Sequence, residues 1–259
     1  MPPELRFLTA IARDAGDIAM RYFRTDNEVW YKNGTSPVSL ADRDVNRFLF
    51  EKITRQFPEY GWLSEESEDD HERLNRETVV IVDPIDGTRG FIAGKSEWCI
   101  SIAIVKDKRP NHAVLHCPAL NQTFAASRGS GLILSNIEMG QSAHTRKPLV
   151  TGSSKLIDVI NDLPGKPFAT YQFIPSLAYR MALVAIGKLD GAFARPGASE
   201  WDVAAADLIL EEGGGKLSDK QDNVIRYNRP KSHLPSLIAG TKAQHSTILS
   251  LANSHGILH

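Results

Sequence analysis

Cysteine is scarce: two residues among 259, Cys99 and Cys117, with no CxxC or Cys/His spacing around either. A disulfide framework and a thiolate zinc site are therefore not expected, and both cysteines read as reduced, buried small residues in a reducing cytosol. An excess of one charge is missing too, since 30 basic residues face 31 acidic ones. Proteins that neutralise many nucleic-acid phosphates carry a basic excess, so general nucleic-acid binding is not expected. No apolar run approaches the roughly 18 to 20 residues of a membrane span. Met1-Pro2-Pro3-Glu4 has no charged region followed by an apolar core, so the expected location is cytoplasmic, away from membranes. Internal repeats and low-complexity linkers are also absent. What remains is a globular composition, 42% hydrophobic and 24% charged. At this length a fold buries roughly 70 to 75% of its unfolded surface, so any metal is there for chemistry rather than for folding.

The pattern of apolar residues gives the elements. Leu8, Ile11, Ala15, Ile18 and Tyr22 recur at helical spacing, so residues 4–23 read as an amphipathic helix. A loop containing Asn33-Gly34-Thr35-Ser36-Pro37 follows, and then Ser39 caps a helix with Val45, Phe48, Leu49 and Ile53 on one face. Thr78 to Val82, Trp98 to Val105, Ala113 to His116 and Thr123 to Ala126 read as strands. Beyond residue 140 strands and helices alternate: strands at Leu149 to Thr151, Ala192 to Ala194 and Leu237 to Ala239, helices at Leu177 to Ile186 and Val203 to Glu212, and a final helix. The expectation is two packed α/β lobes, 1–143 and 144–259, with a seam near Gln141 to Lys147 where a site would sit.

Chemistry concentrates in Val82-Asp83-Pro84-Ile85-Asp86-Gly87-Thr88. An apolar run ending in a carboxylate puts Asp83 at the end of a buried strand, and Pro84 keeps its backbone extended. Asp86 follows after a turn, and Gly87-Thr88 opens a segment whose N–H groups would point at an anion. Two acids beside an anion-binding turn suggest a divalent cation carrying a phosphate. An isolated pair of this kind more often caps or solvates a turn, so further acids must converge. Candidates are Glu65 in Ser64-Glu65-Glu66-Ser67, otherwise a solvated charged face, and Asp202 after Trp201, otherwise a helix cap worth about 1 kcal/mol.

Asp83 to Thr88, preceded by Ser64 to Ser67 and followed by Trp201-Asp202-Val203-Ala204-Ala205, resembles the three signature segments of the inositol monophosphatase superfamily, in that family's order. The resemblance implies a layered α/β/α/β/α sandwich. It also implies a phosphomonoesterase with two or three Mg²⁺ per site, held by Glu65, Asp83, the Ile85 carbonyl, Asp86 and Asp202, and inhibited by Li⁺. Oxygen-rich ligation suits Mg²⁺ and not zinc. The resemblance assigns Thr88 and Asp42 to orienting the attacking water and taking its proton, with Glu65 at the same water, and the backbone N–H groups of Gly87 and Thr88 to gripping phosphate. Asp42 read without the resemblance is a first-turn acid favoured by the helix dipole, and Lys32, which matches a metal-site lysine of some members, is a solvated loop residue. Relatives often form homodimers.

Members acting on inositol carry an acid seven positions before the last metal acid, where this chain has Arg195. An arginine cannot accept hydrogen bonds from ring hydroxyls but can pair with a second anionic group, unless it merely bridges a surface residue such as Glu200. Ser36-Pro37-Val38 and Ser64-Glu65-Glu66 resemble the 3'(2'),5'-bisphosphate nucleotidase branch, although its Ser-Leu-Lys segment reads Ser176-Leu177-Ala178 here. A bisphosphate nucleotide such as 3'-phosphoadenosine 5'-phosphate leads, with inositol 1-phosphate and histidinol phosphate as alternatives. A reading of another class is a non-catalytic regulator of transcription or ribosome assembly that keeps an inherited site.

Overall fold

The computed structural model describes residues 1–25, 29–32, 36–140 and 147–258, with Tyr31, Lys32 and Ser36 described by backbone alone. The Lys32 side chain, and all of the expected seam except Lys147, lie outside the described residues. In chain order the elements are α1 (Pro3–Met20), β1 (Val29–Lys32), β2 (Ser36–Ser39), α2 (Leu40–Gln56), β3 (Gly61–Ser64), β4 (Thr78–Asp86), α3 (Thr88–Ile92), β5 (Cys99–Lys106), β6 (Arg109–Cys117), β7 (Gln122–Ser127) and β8 (Leu132–Ser135). Then come β9 (Leu149–Thr151), α4 (Ser154–Asn161), β10 (Ala169–Thr170), α5 (Leu177–Ala185), β11 (Gly191–Ala194), α6 (Glu200–Glu212), β12 (Lys216–Asp219), β13 (Leu237–Gly240) and α7 (His245–Ser254). No described helix is long and apolar enough to cross a membrane.

Two large sheets form, one in the order β3-β4-β5-β6-β7-β8 and one in the order β10-β9-β11-β13-β12. In the first, only β3 and β4 run parallel. Alternation along its strands makes it two-faced. Val80, Val82, Ile100, Ile102 and Val114 pack with Leu5, Leu8, Val45 and Leu49 of α1 and α2. Val79, Ile81, Ala103, Leu115 and Phe124 pack with Met181, Leu208 and Ile209 of α5 and α6, and the same cluster takes in Ala192, Leu217 and Ala239 of the second sheet. The far side of that sheet, through Val150, Phe193 and Ile238, is covered by Leu156, Ile160, Ile248 and Ala252 of α4 and α7. The layers are thus helix, sheet, helix, sheet, helix. Val203 to Leu210 of α6 are all buried, because that helix lies between the two sheets. Each fully buried Leu, Ile or Val contributes about 1.5 to 3 kcal/mol.

The structure shifts three sequence expectations. The first helix ends at Met20, and the Tyr22 hydroxyl instead donates to Asp44 of α2. Ser36 and Pro37, expected in a loop, begin β2, with Pro37 opposite Tyr31. A two-stranded ribbon leaves one edge of each strand unpaired, where a residue without an N–H is tolerated. The helix expected from Val203 starts at Glu200, because Ser199 holds the cap position and leaves Asp202 in the first turn.

Candidate active site

The path of β4 explains why two acids three positions apart act together. Asp83 pairs with Ser101 of β5 and Asp86 with Cys99, so β4 advances three residues while its partner advances two. Residues three apart on an unbroken strand point to opposite faces; one extra residue in a bulge returns them to the same side. Asp83 and Asp86 accordingly line one cleft of about 340 Å³ with Glu65, Ile85, Gly87, Thr88, Arg89, Phe173, Pro175, Arg180 and Asp202 among its walls. Cys99 and Cys117 are free thiols buried behind it, as expected.

The helices bring in the other acids by one local device. In α2 the Ser39 N–H donates to Asp42 Oδ2 at 2.7 Å, and the Ser39 hydroxyl does so at 2.6 Å. In α6 the Ser199 N–H donates to Asp202 Oδ2 at 2.7 Å. An acid three positions after a serine cap reaches back to the cap and is fixed there. Glu65 sits on the turn after β3, pinned from α2: Ser64 Oγ donates to Asn46 Oδ1 at 2.7 Å and Asn46 Nδ2 donates to Ser67 Oγ at 3.1 Å.

Glu65, Asp83 and Asp202 each present an oxygen within 4.8 Å of the other two. Burial raises the Asp83 pKa well above the usual carboxylate range, and the charges of Glu65, Asp86 and Asp202 push it further. Asp202 is pushed up to about 7, by burial first and then by Asp86. Buried hard oxygens that repel one another fit a divalent cation such as Mg²⁺, which would supply the missing positive charge. Asp86 is raised by burial as well, but its oxygens also accept from the start of α5: from Ser176 Oγ, from Ala178 N at 2.7 Å and from Leu177 N at 3.3 Å. Ile85 N donates to Asp83 Oδ1 at 3.0 Å, which steadies the turn between the acids.

Beside this cluster the Thr88 hydroxyl lies 3.2 Å from Asp42 Oδ1 and 3.0 Å from the Ile85 carbonyl oxygen, both acceptors for its single proton. Asp42 is 1% exposed, and burial raises its carboxyl to about 6 against the opposing bonds from Ser39. Gly87 leads into α3 at φ +98°, and a Cβ there would stand 3.1 Å from Ser176 N. Only glycine suits both the left-handed backbone and the approach of α5.

The structure thus gathers Asp42, Glu65, Asp83, Ile85, Asp86, Gly87, Thr88 and Asp202 in one region. Arg195, expected at the substrate, is exposed in the turn after β11 and is not among the residues lining the cleft. Glu200, its alternative partner, is buried and accepts from Asn228 N at 2.7 Å and Arg229 N at 3.0 Å. The buried cation of the cleft is Arg180, which sequence reasoning missed. Its Nε donates to Ile174 O at 2.7 Å and its Nη2 to Pro175 O at 3.1 Å, while its charge acts on Asp86 and Asp202. Asn46 and the bond from Ser176 to Asp86 were missed too. Trp201 packs partly buried against the core beside Asp202.

Known proteins resemble this chain over most of its length. The model of the inositol monophosphatase family matches residues 2–256. A 3'(2'),5'-bisphosphate nucleotidase CysQ of Aggregatibacter actinomycetemcomitans is 29% identical over 255 residues, covering 91% of this chain and 92% of its own. The Nus factor SuhB of Escherichia coli is 29% identical over 231 residues, 85% of this chain and 86% of its own. Among solved structures, an IMPase of Thermotoga maritima superposes with a TM-score of 0.83 at 26% identity, over 98% of both chains.

Proposed function

From the premise that the chain belongs to the inositol monophosphatase family and is a phosphatase, we propose that it removes phosphate from a small-molecule monoester carrying a second anionic group, a 3'(2'),5'-bisphosphate nucleotide such as 3'-phosphoadenosine 5'-phosphate. The observation carrying the chemistry is the convergence of Glu65, Asp83 and Asp202 within 4.8 Å. With the Ile85 carbonyl and Asp86 alongside, they would hold Mg²⁺, two or three ions per site, whose chemistry is to screen the phosphate and acidify water.

The chain's own groups do the rest. Thr88 Oγ1 accepts a hydrogen bond from the attacking water while its own proton points at Asp42 Oδ1, 3.2 Å away. As the water attacks, its proton moves to Thr88 Oγ1 and the threonine proton moves to Asp42 Oδ1. A carboxyl raised to about 6 is ionised at neutral pH and still basic enough to receive it. Gly87 and Thr88 line the cleft, and their backbone N–H groups would bind the phosphate oxygens. Arg180 and Arg89 line the same cleft, which supports a ligand more anionic than a simple monoester.

Relatives named Nus factor SuhB are as similar as the nucleotidase, which keeps a regulatory role as the second reading. The reading extends to Li⁺ inhibition, a cytoplasmic location and a homodimer, the last checked by light scattering. The test is phosphate release from 3'-phosphoadenosine 5'-phosphate, inositol 1-phosphate and histidinol phosphate at equal concentration, with Mg²⁺, with chelator and with Li⁺. The bisphosphate nucleotide should lead and chelator should abolish turnover. Faster release from inositol 1-phosphate would reject the nucleotide, and no release from any ester with Mg²⁺ would favour the regulatory reading.

A further inference from the structure

The cleft has two unlike halves. One is the acidic floor. The other is built from the extended segment before α5, where Phe173 and Pro175 face the cleft while Tyr171, Gln172 and Ile174 line a separate hollow behind it. Phe173 is 37% exposed, an aromatic ring left at the mouth of a polar site. Cations surround it: Arg180 Cζ is 5.3 Å from the ring centroid and Lys95 Nζ is 5.7 Å from it. Arg89 lines the same cleft. Arg180 is fixed, being 7% exposed and bonded to two carbonyls, whereas Lys95 is exposed and stands beside the ring without itself lining the cleft.

We propose that Phe173 is a specificity-determining residue, the surface against which a flat ring in the substrate's alcohol part packs, with Lys95 receiving that part's second anionic group. A polyhydroxylated ring laid on Phe173, Pro175 and Pro37 finds no side-chain hydrogen-bond partner among those three and has only Ser153, Arg89 and Arg180 on that cleft's wall to turn its hydroxyls to. A planar base loses nothing there and gains stacking, which every base offers through its π face. An ammonium on the same part, as in histidinol phosphate, would face Lys95 and be repelled. The Lys95 ammonium gives up a weak cation–π contact with Phe173 for a charge-assisted bond to an anion, a favourable exchange.

The inference rests on the phosphatase reading above, so its test uses esters that separate the two. Relative kcat/KM is measured for 2-naphthyl phosphate, which has the flat ring alone, for glycerol 2-phosphate, which has neither feature, and for 3'-phosphoadenosine 5'-phosphate. In Phe173→Ala the preference for naphthyl over glycerol ester should fall about ten- to hundredfold, mainly through KM, and Phe173→Trp should restore it. In Lys95→Met the preference for 3'-phosphoadenosine 5'-phosphate over 2-naphthyl phosphate should fall about tenfold, with the naphthyl-to-glycerol ratio within twofold of wild type. An unchanged naphthyl-to-glycerol ratio in Phe173→Ala overturns the ring contact even where wild type hydrolyses all three esters. Failure of wild type to hydrolyse the bisphosphate, with the Phe173→Ala effect on the naphthyl ester intact, rejects the nucleotide and leaves the ring contact standing.

Discussion

Replacing Asp42 by asparagine separates what that carboxylate does for the reaction from what it costs the fold. Asparagine is the same size, and its Oδ1 can take over from Asp42 Oδ2 as acceptor for the Ser39 N–H and hydroxyl. Its amide nitrogen then faces Thr88 Oγ1, whose proton turns wholly to the Ile85 carbonyl at 3.0 Å. The fold keeps its contacts and the proton route from Thr88 is closed, so kcat should fall by about 100- to 10,000-fold, the usual worth of general base catalysis. Stability should move the other way. The folded-state pKa of Asp42, about 6, lies above its ordinary 3.8, so between those values the folded chain binds more protons than the unfolded one and stability falls as pH rises. The full difference, about 3 kcal/mol, is lost by wild type above pH 6 and not by the amide, which does not titrate. Asp207, Asp202 and Glu200 titrate in the same region in both proteins and largely cancel, so the comparison reads Asp42 together with the push its charge exerts on Asp83. With chelator present, the gap between the melting midpoints of Asp42→Asn and wild type should widen in favour of the variant from pH 4 to pH 7.5, by about 5 to 10 °C. Steady-state phosphate release and thermal denaturation read the two halves. A kcat within a few-fold of wild type would refute the proton role, and a midpoint gap that does not change with pH would refute the burial argument.

Asp83→Asn should abolish turnover and remove any rise in melting midpoint on adding Mg²⁺. It should also raise the metal-free midpoint at pH 8, by about 2 to 4 °C per kcal/mol of repulsion relieved, because burial and four neighbouring acids oppose that charge. Arg180→Met leaves the Ile174 and Pro175 carbonyls without their donors and Asp86 without its nearby cation. A loss of about 3 to 5 kcal/mol in urea denaturation is expected. Arg180→Lys should recover little of it, because a single ammonium does not reproduce the forked donor. Gly87→Ala forces a Cβ into a left-handed residue 3.1 Å from Ser176 N, so it should cost about 1 to 3 kcal/mol and lower kcat by shifting Thr88 against Asp42.

Legibility in the sequence follows the distance over which the physics acts. The Ser39 cap, the apolar face of α2 and the burial of β4 are local, and the structure has them where the periodicity put them. Asp83 to Thr88 could be singled out because six consecutive residues carry two acids and a turn. The bulge that turns Asp86 to the same side as Asp83 depends on the pairing with β5, which no local pattern reports. Arg180, Asn46 and the bond from Ser176 to Asp86 are not legible because each acts through a partner brought in by tertiary packing or a backbone carbonyl of an irregular segment, as Ser176 does 90 positions from Asp86. Arg195 illustrates the converse. Its offset from Asp202 is a count along the chain, and where the side chain goes is decided by the turn between β11 and α6, which contains Gly197 at φ +103° and leaves Arg195 in solvent.

Asp86 ties the two halves of the cleft together. Its oxygens accept from Ser176, Leu177 and Ala178, so the carboxylate acts as an external cap for α5 while lying in the cleft beside Asp83. One turn further along α5, Arg180 reaches back to Ile174 and Pro175 and fixes the segment that presents Phe173. Burial raises the Asp86 carboxyl, and the donors and the opposite charge that pull it back down come from the same helix and its cap. The distance between acidic floor and aromatic wall is therefore set by bonds to one carboxylate rather than by the long stretch of chain that separates them. Loosening α5 must change the ionisation of Asp86 and the position of Phe173 together. Substrate selectivity and the acidic cluster cannot be altered independently through that helix, whereas at Lys95, which shares none of these bonds, selectivity can change alone.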